Sequence, residues 1–166
     1  MKPLSCESAR QAIEARLFTG WSGLPAGCSP KTLFGVALDG SWGQRRLGSG
    51  RVAAQSRLLE ISGYYRPMAS VRDGAVAMFD AMNPELASGW PPLAADLGAA
   101  ETTFDWWYGT VAMPGGERVY ASRGITVFTN RDGDDVLHLA VYTPVSVDTY
   151  VHTLRPNLEK KLTPRK

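Results

Sequence analysis

The chain has 166 residues, of which 44% are hydrophobic and 20% charged, with a net charge of +2. This composition excludes a disordered or fibrous chain, and the length suits one compact domain or two small fused repeats. Residues 155–166 alone carry +4, which leaves −2 on everything before them. A short basic end on a near-neutral body reads as a solvated tail, so nucleic acid is not expected as a partner. No stretch approaches the ~18 consecutive apolar residues of a membrane span. Met1–Leu17 is charged and amphipathic, without the apolar core of a signal peptide. These features predict a cytoplasmic protein with no membrane partner. Cys6 and Cys28 lack C-x-x-C spacing, so two free thiols are expected, with a disulfide as the other state.

Taken in order, residues 5–19 predict a helix capped by Ser5 or Ser8, with Ala9, Ile13, Leu17 and Phe18 on one face. Ser29 and Pro30 open a short helix that Gly40 stops, burying Leu33, Phe34, Ala37 and Leu38. Strands are predicted at 42–47, 57–62, 64–72 and 75–81, the last two joined by the hairpin signal Asp73-Gly74. Residues 52–56 suit either strand or helix. Asn83-Pro84 starts a helical stretch to about Ser88, and Pro91-Pro92 opens a short helix ending at Gly98. Strands follow at 104–113, 117–122, 125–130 and 135–142. Ser146 caps a last helix that Pro156 ends, and the tail is expected to be loose.

The stretch 117–144 is echoed about 60 residues upstream by 57–84. Gly63 matches Gly124, Asp73-Gly74 matches Asp132-Gly133, and Asn83-Pro84 matches Thr143-Pro144. Ser29 to Gly40 matches Pro91 to Gly98. The pattern predicts an internal duplication in which each unit is a short helix followed by about four antiparallel strands. The expected fold class is therefore α+β: two similar helix-plus-antiparallel-sheet repeats of about 60 residues, able to join into one continuous sheet with helices on one face. The expected divisions are 1–84, 85–156 and a basic tail at 157–166. This layout resembles the tandem repeats of beta-lactamase inhibitory proteins and SmpA-like domains, in which a capped helix ending in Leu-Gly precedes a meander. The resemblance implies a protein-binding scaffold. The cysteines depart from that family's disulfides.

Chemistry is sparse. Asp148 and His152 are one turn apart and Ser146 is near, yet Ser146 and Asp148 suit a helix start. His138 shares a strand face with Val136, Ala140 and Tyr142, and a lone strand histidine is usually just hydrogen-bonded. Residues 130–135 lack the spacing of a calcium loop, and no Cys/His pair has zinc-finger spacing. Gly48-Ser49-Gly50 with Ala53 matches a dinucleotide fingerprint but sits among hairpins. No cofactor or metal is expected. Trp106, Trp107 and Tyr108 are consecutive on a strand, so one ring must oppose the other two. Tyr64-Tyr65 poses the same problem. These five, with Trp42, form the predicted partner-binding surface. The leading expectation is a non-catalytic intracellular protein-binding module of inhibitor or immunity type, its partner another protein. The alternative is an enzyme or small-ligand-binding protein with a pocket between sheet and helices, using His138.

Overall fold

The computed structural model describes residues 4–47, 52–108, 114–158 and 162–164. Nine antiparallel strands form one sheet in the order β1-β2-β3-β4-β8-β7-β6-β5-β9. The strands are β1 (Gly43–Leu47), β2 (Val52–Leu58), β3 (Tyr65–Arg72), β4 (Ala75–Met82), β5 (Thr102–Tyr108), β6 (Pro114–Tyr120), β7 (Ile125–Asn130), β8 (Val136–Tyr142) and β9 (Leu162–Pro164). Two meanders, β1–β4 and β5–β8, therefore meet at one seam. There β4 pairs with β8 over five residues, Met78 opposite Tyr142 to Met82 opposite His138. The fold class is α+β, as expected.

The sheet is covered on both faces, not on one. Helices α1 (Cys6–Ala15), α2 (Pro30–Phe34) and α3 (Trp90–Leu97) lie over the first face. Ile13, Phe18, Trp21, Leu24 and Leu33 pack there against Phe79, Leu139 and Val141. The second face is covered by α4, which begins at Val147–Thr149, continues as a π-helical turn Tyr150–Leu154 and ends in a 3-10 turn Arg155–Asn157. Tyr150, Leu154 and Leu158 pack on Met78, Trp106, Phe128 and Tyr142. This double cover explains why AVAMFDAM and VLHLAVY are nearly unbroken apolar runs: strands buried on both faces lose the alternation of half-exposed ones.

Several boundaries move for local reasons. Helix α1 stops at Ala15 because Arg16 takes the left-handed conformation, φ 55°, and its guanidinium reaches the carbonyls of Glu85 and Ser62. Helix α2 stops at Gly35 rather than Gly40, so Ala37 and Leu38 are exposed. Residues 83–88 form no helix; the backbone N–H groups of Glu85 and Ala87 are taken by Gly63 and Arg16. Residues 52–56 are strand. The tail is not loose where it is described: Leu158 is buried and 162–164 pair with β5. Gly48-Ser49-Gly50 lie outside the described residues.

The two Asp-Gly signals differ in form. Asp73 and Gly74 both have positive φ, 51° and 77°, the pattern of a tight two-residue hairpin. Gly133 also has positive φ, 75°, but sits in a longer loop built on Asn130, whose side-chain oxygen accepts from the N–H groups of Asp134 and Asp135. At Gly124, φ 60°, a side chain would overlap the carbonyl of Tyr142 and the backbone of Gly23. That close approach lets the 18–28 loop lie on the sheet, with the Trp21 indole N–H donating to the Gly124 carbonyl.

The expectation of free thiols is overturned. Cys6 and Cys28 form a disulfide with Cα atoms 5.6 Å apart. Cys6 opens α1 and Cys28 precedes the cap of α2, and a separation of 22 residues carries no motif that would announce the pairing. In denaturant, thiol titration should find no thiol before reduction and two after it. Cys28→Ser should lower unfolding free energy by roughly 3 kcal/mol, from the entropy the closed loop removes from the unfolded chain.

Candidate functional site

Three places gather polar or exposed groups. The first lies at the seam. His138 Nε2 and Asp80 Oδ2 are 3.1 Å apart, with side chains 1% and 2% exposed. They are diagonal neighbours across β4 and β8 on the second face, since Asp80 opposes Ala140 and Met82 opposes His138. Ser70 is on the same face one strand over, diagonal to Asp80 through the Met68–Asp80 pair. The hydroxyl of Ser70, the other oxygen of Asp80 and Nδ1 of His138 make no hydrogen bond to described residues. The three types match a hydrolytic triad but the order does not: the carboxylate stands between serine and imidazole, whereas the imidazole must bridge the other two. Phe128 packs its ring edge-on to His138 at 5.3 Å and closes the pair off.

The second place is a buried carboxylate that fastens α4 to the sheet. Glu117, on β6, is fully buried. It accepts from the Tyr150 hydroxyl at 2.6 Å and from Arg155 Nε at 3.0 and 3.2 Å, with Arg155 Nη2 at 2.9 Å. The Trp106 indole N–H donates to it as well. The Arg155 guanidinium lies over the rings of Phe104 and Trp106, 4.2 and 4.5 Å from their centroids. Burial pushes Glu117 above the ordinary carboxylate range, against the opposing pull of Arg155, Tyr150 and Trp106. The Tyr150 hydroxyl is likewise raised by burial and by the facing Glu117. Tyr150 stacks on Tyr142, whose hydroxyl is 2.8 Å from Thr126 Oγ1. Glu117 thus ties β6 to Trp106 on β5 and to Tyr150 and Arg155 of α4.

The third place is a shallow depression of about 520 Å³ at the β2–β3 end, bordered by Leu58, Ile61, Tyr64, Tyr65 and Pro67. Leu58 is 57% exposed and Tyr65 58%. Tyr65 stands at a register shift between Tyr65 and Met68, where Arg66 has φ 50°. A bulge of this kind re-aims side chains, and a left-handed arginine costs on the order of 1 kcal/mol that surrounding structure must offset.

The other sequence candidates separate. Trp106 is core, held by Glu117 and Phe128. Trp42 is also buried, its N–H donating to the Ala37 carbonyl. Tyr64 is half-buried, its hydroxyl donating to the Ile13 carbonyl at 2.7 Å. The side chains of Trp107 and Tyr108 lie outside the described residues. Four strands separate β5 from β3, so the aromatics do not form one surface. Asp148 and His152 pair at 3.3 Å in the open, and the Ser146 hydroxyl accepts from the Thr149 N–H as an N-cap. Cys6 and Cys28 are consumed by their disulfide. Sequence reasoning missed Glu117, Tyr150, Arg155 and Asp80. Glu117 carried a usable signal: strand alternation puts it on the face of Val119, a core position.

No protein family, curated protein or solved structure matches this chain.

Glu117→Ala should destabilise the fold by roughly 3 kcal/mol, because it leaves the partly buried Arg155 guanidinium without its carboxylate. Glu117→Gln with Arg155→Met should lose less than the two single losses summed, and a denaturant-unfolding double-mutant cycle measures that coupling.

Proposed function

We propose that this chain is a non-catalytic protein-binding module of the inhibitor or immunity type, engaging its partner through the Leu58–Tyr65 depression. The observation that carries the reading is Tyr65, a large ring turned to solvent by a strained bulge beside an equally exposed leucine. Tyrosine supplies much contact area at little conformational cost, and such anchors dominate binding energy at protein interfaces. The catalytic alternative gains no comparable support. His138 and Asp80 are sealed under Phe128, and Asp148 and His152 stand on open surface.

Two further readings accompany it. The Cys6–Cys28 disulfide supports an oxidising compartment in place of the cytoplasm. An internal duplication is supported by the two meanders in mirrored order. It is supported again by the aligned glycines Gly63 and Gly124, which both take positive φ, 84° and 60°.

The test uses the purified full chain as bait on extract from its source. Tyr65→Ala and Leu58→Ser should each weaken retention of one specific protein at least tenfold. Their melting temperatures should stay within about 3 °C, since surface changes seldom exceed ~0.5 kcal/mol. Retention that is unchanged in both variants would refute the assigned surface.

A further inference from the structure

A separate hollow of about 310 Å³ opens on the first face beyond α3, over strands β5, β6 and β7. Its origin is a missing row of side chains. Asp105 opposes Gly116, and Gly116 opposes Thr129, so the middle of that row is bare. The row behind it is Thr103, Arg118 and Val127. Asp105 and Arg118 are thus diagonal neighbours on one face, a spacing at which opposite charges normally meet. They do not meet here. Among the described residues Asp105 has no ion pair, because Arg118 is drawn elsewhere: its guanidinium lies over the Trp90 ring, 5.7 Å from the centroid, and passes under Gly133. The Trp90 N–H in turn donates to the Gly133 carbonyl at 2.9 Å and fixes that loop. Arg131 and Asp132 stand exposed on the rim, neither with an ion pair among the described residues. Thr129 is buried at the floor, and among the described residues its hydroxyl has only a long contact of 3.5 Å to the Gly116 carbonyl.

A cavity that holds opposite charges apart selects a guest that carries both. We propose that this hollow binds a small zwitterion of free α-amino-acid size. Its carboxylate meets the Arg118 and Arg131 guanidinium groups, and its ammonium meets the Asp105 carboxylate. The volume suits such a guest: it equals on the order of ten liquid waters at ~30 Å³ each, at the small end of ligand pockets. Both contacts are charge-assisted, and guanidinium offers two parallel donors to a carboxylate. The hollow lies on the second meander, apart from the Leu58–Tyr65 depression on the first, so neither reading depends on the other.

The experiment is calorimetric titration of the full chain with each of the twenty standard L-amino acids, and with acetate, methylammonium and inorganic phosphate as single-charge probes. At least one amino acid should bind saturably, and acetate, methylammonium and phosphate at least tenfold more weakly. Gly116→Val should abolish binding by filling the bare row. A Cβ there meets nothing nearer than the Thr129 hydroxyl at 3.5 Å, so the variant should fold, which its melting temperature verifies. Arg131→Ala, a surface change, should weaken binding at least tenfold. Saturable binding by no amino acid would overturn the proposal. So would acetate or phosphate binding as tightly as the best amino acid, which marks a plain anion site, or full binding by both variants.

Discussion

The pairing of β4 with β8 is the constraint on which the rest of the structure depends. Each meander alone would leave a long apolar edge strand open to other chains. Joined, the two edges satisfy one another's backbone groups, and the seam becomes the middle of the sheet. The price is that β4 and β8 are wet on neither face, so both faces must be covered. That requirement accounts for α1–α3 on one side and α4 on the other. Residues such as Phe79, Leu139, Val141 and Tyr142 are completely buried at the seam, each contributing about 1.5–3 kcal/mol by leaving water.

Covering the second face brings polar groups into the interior. Glu117 is held by a guanidinium, a phenol and an indole, so α4 is fixed in one rotation and register. An apolar contact of similar volume could be as stable but would define the docking less sharply. The His138–Asp80 pair sits next to the seam on the same face and is satisfied only in part. Its geometry fits a packed polar contact between the meanders, with Asp80 placed where a hydrolase would need the imidazole.

Much of the architecture was legible because punctuation is local chemistry. Ser29-Pro30, Asp73-Gly74, Gly98 and Gly124 each act on backbone within a few residues of themselves, so the elements they bound appear within a few residues of expectation. The apolar runs of β4 and β8 mark strands covered on both faces, where helices on one face were expected. What failed was long-range. The Cys6–Cys28 bond, the burial of Trp106 by Arg155, and α4 on the far face all join residues that no spacing relates. Parity required the aromatics of β5 to divide between faces, but it does not say which face has a second cover. The site residues were least legible, because the exposed ring is set by a bulge at Arg66, and the hollow beside Gly116 by where Arg118 turns.

The central claim is that the two meanders are one cooperative body fastened at β4 and β8. Native-state hydrogen exchange tests it most directly. The backbone amides of Phe79, Ala81, Leu139 and Val141 should exchange only through global unfolding, all with the same free energy and the same denaturant dependence. Exchange of the β1–β4 amides through a lower-energy opening that leaves β5–β8 protected would contradict it, since the seam would then be a contact between two independent units.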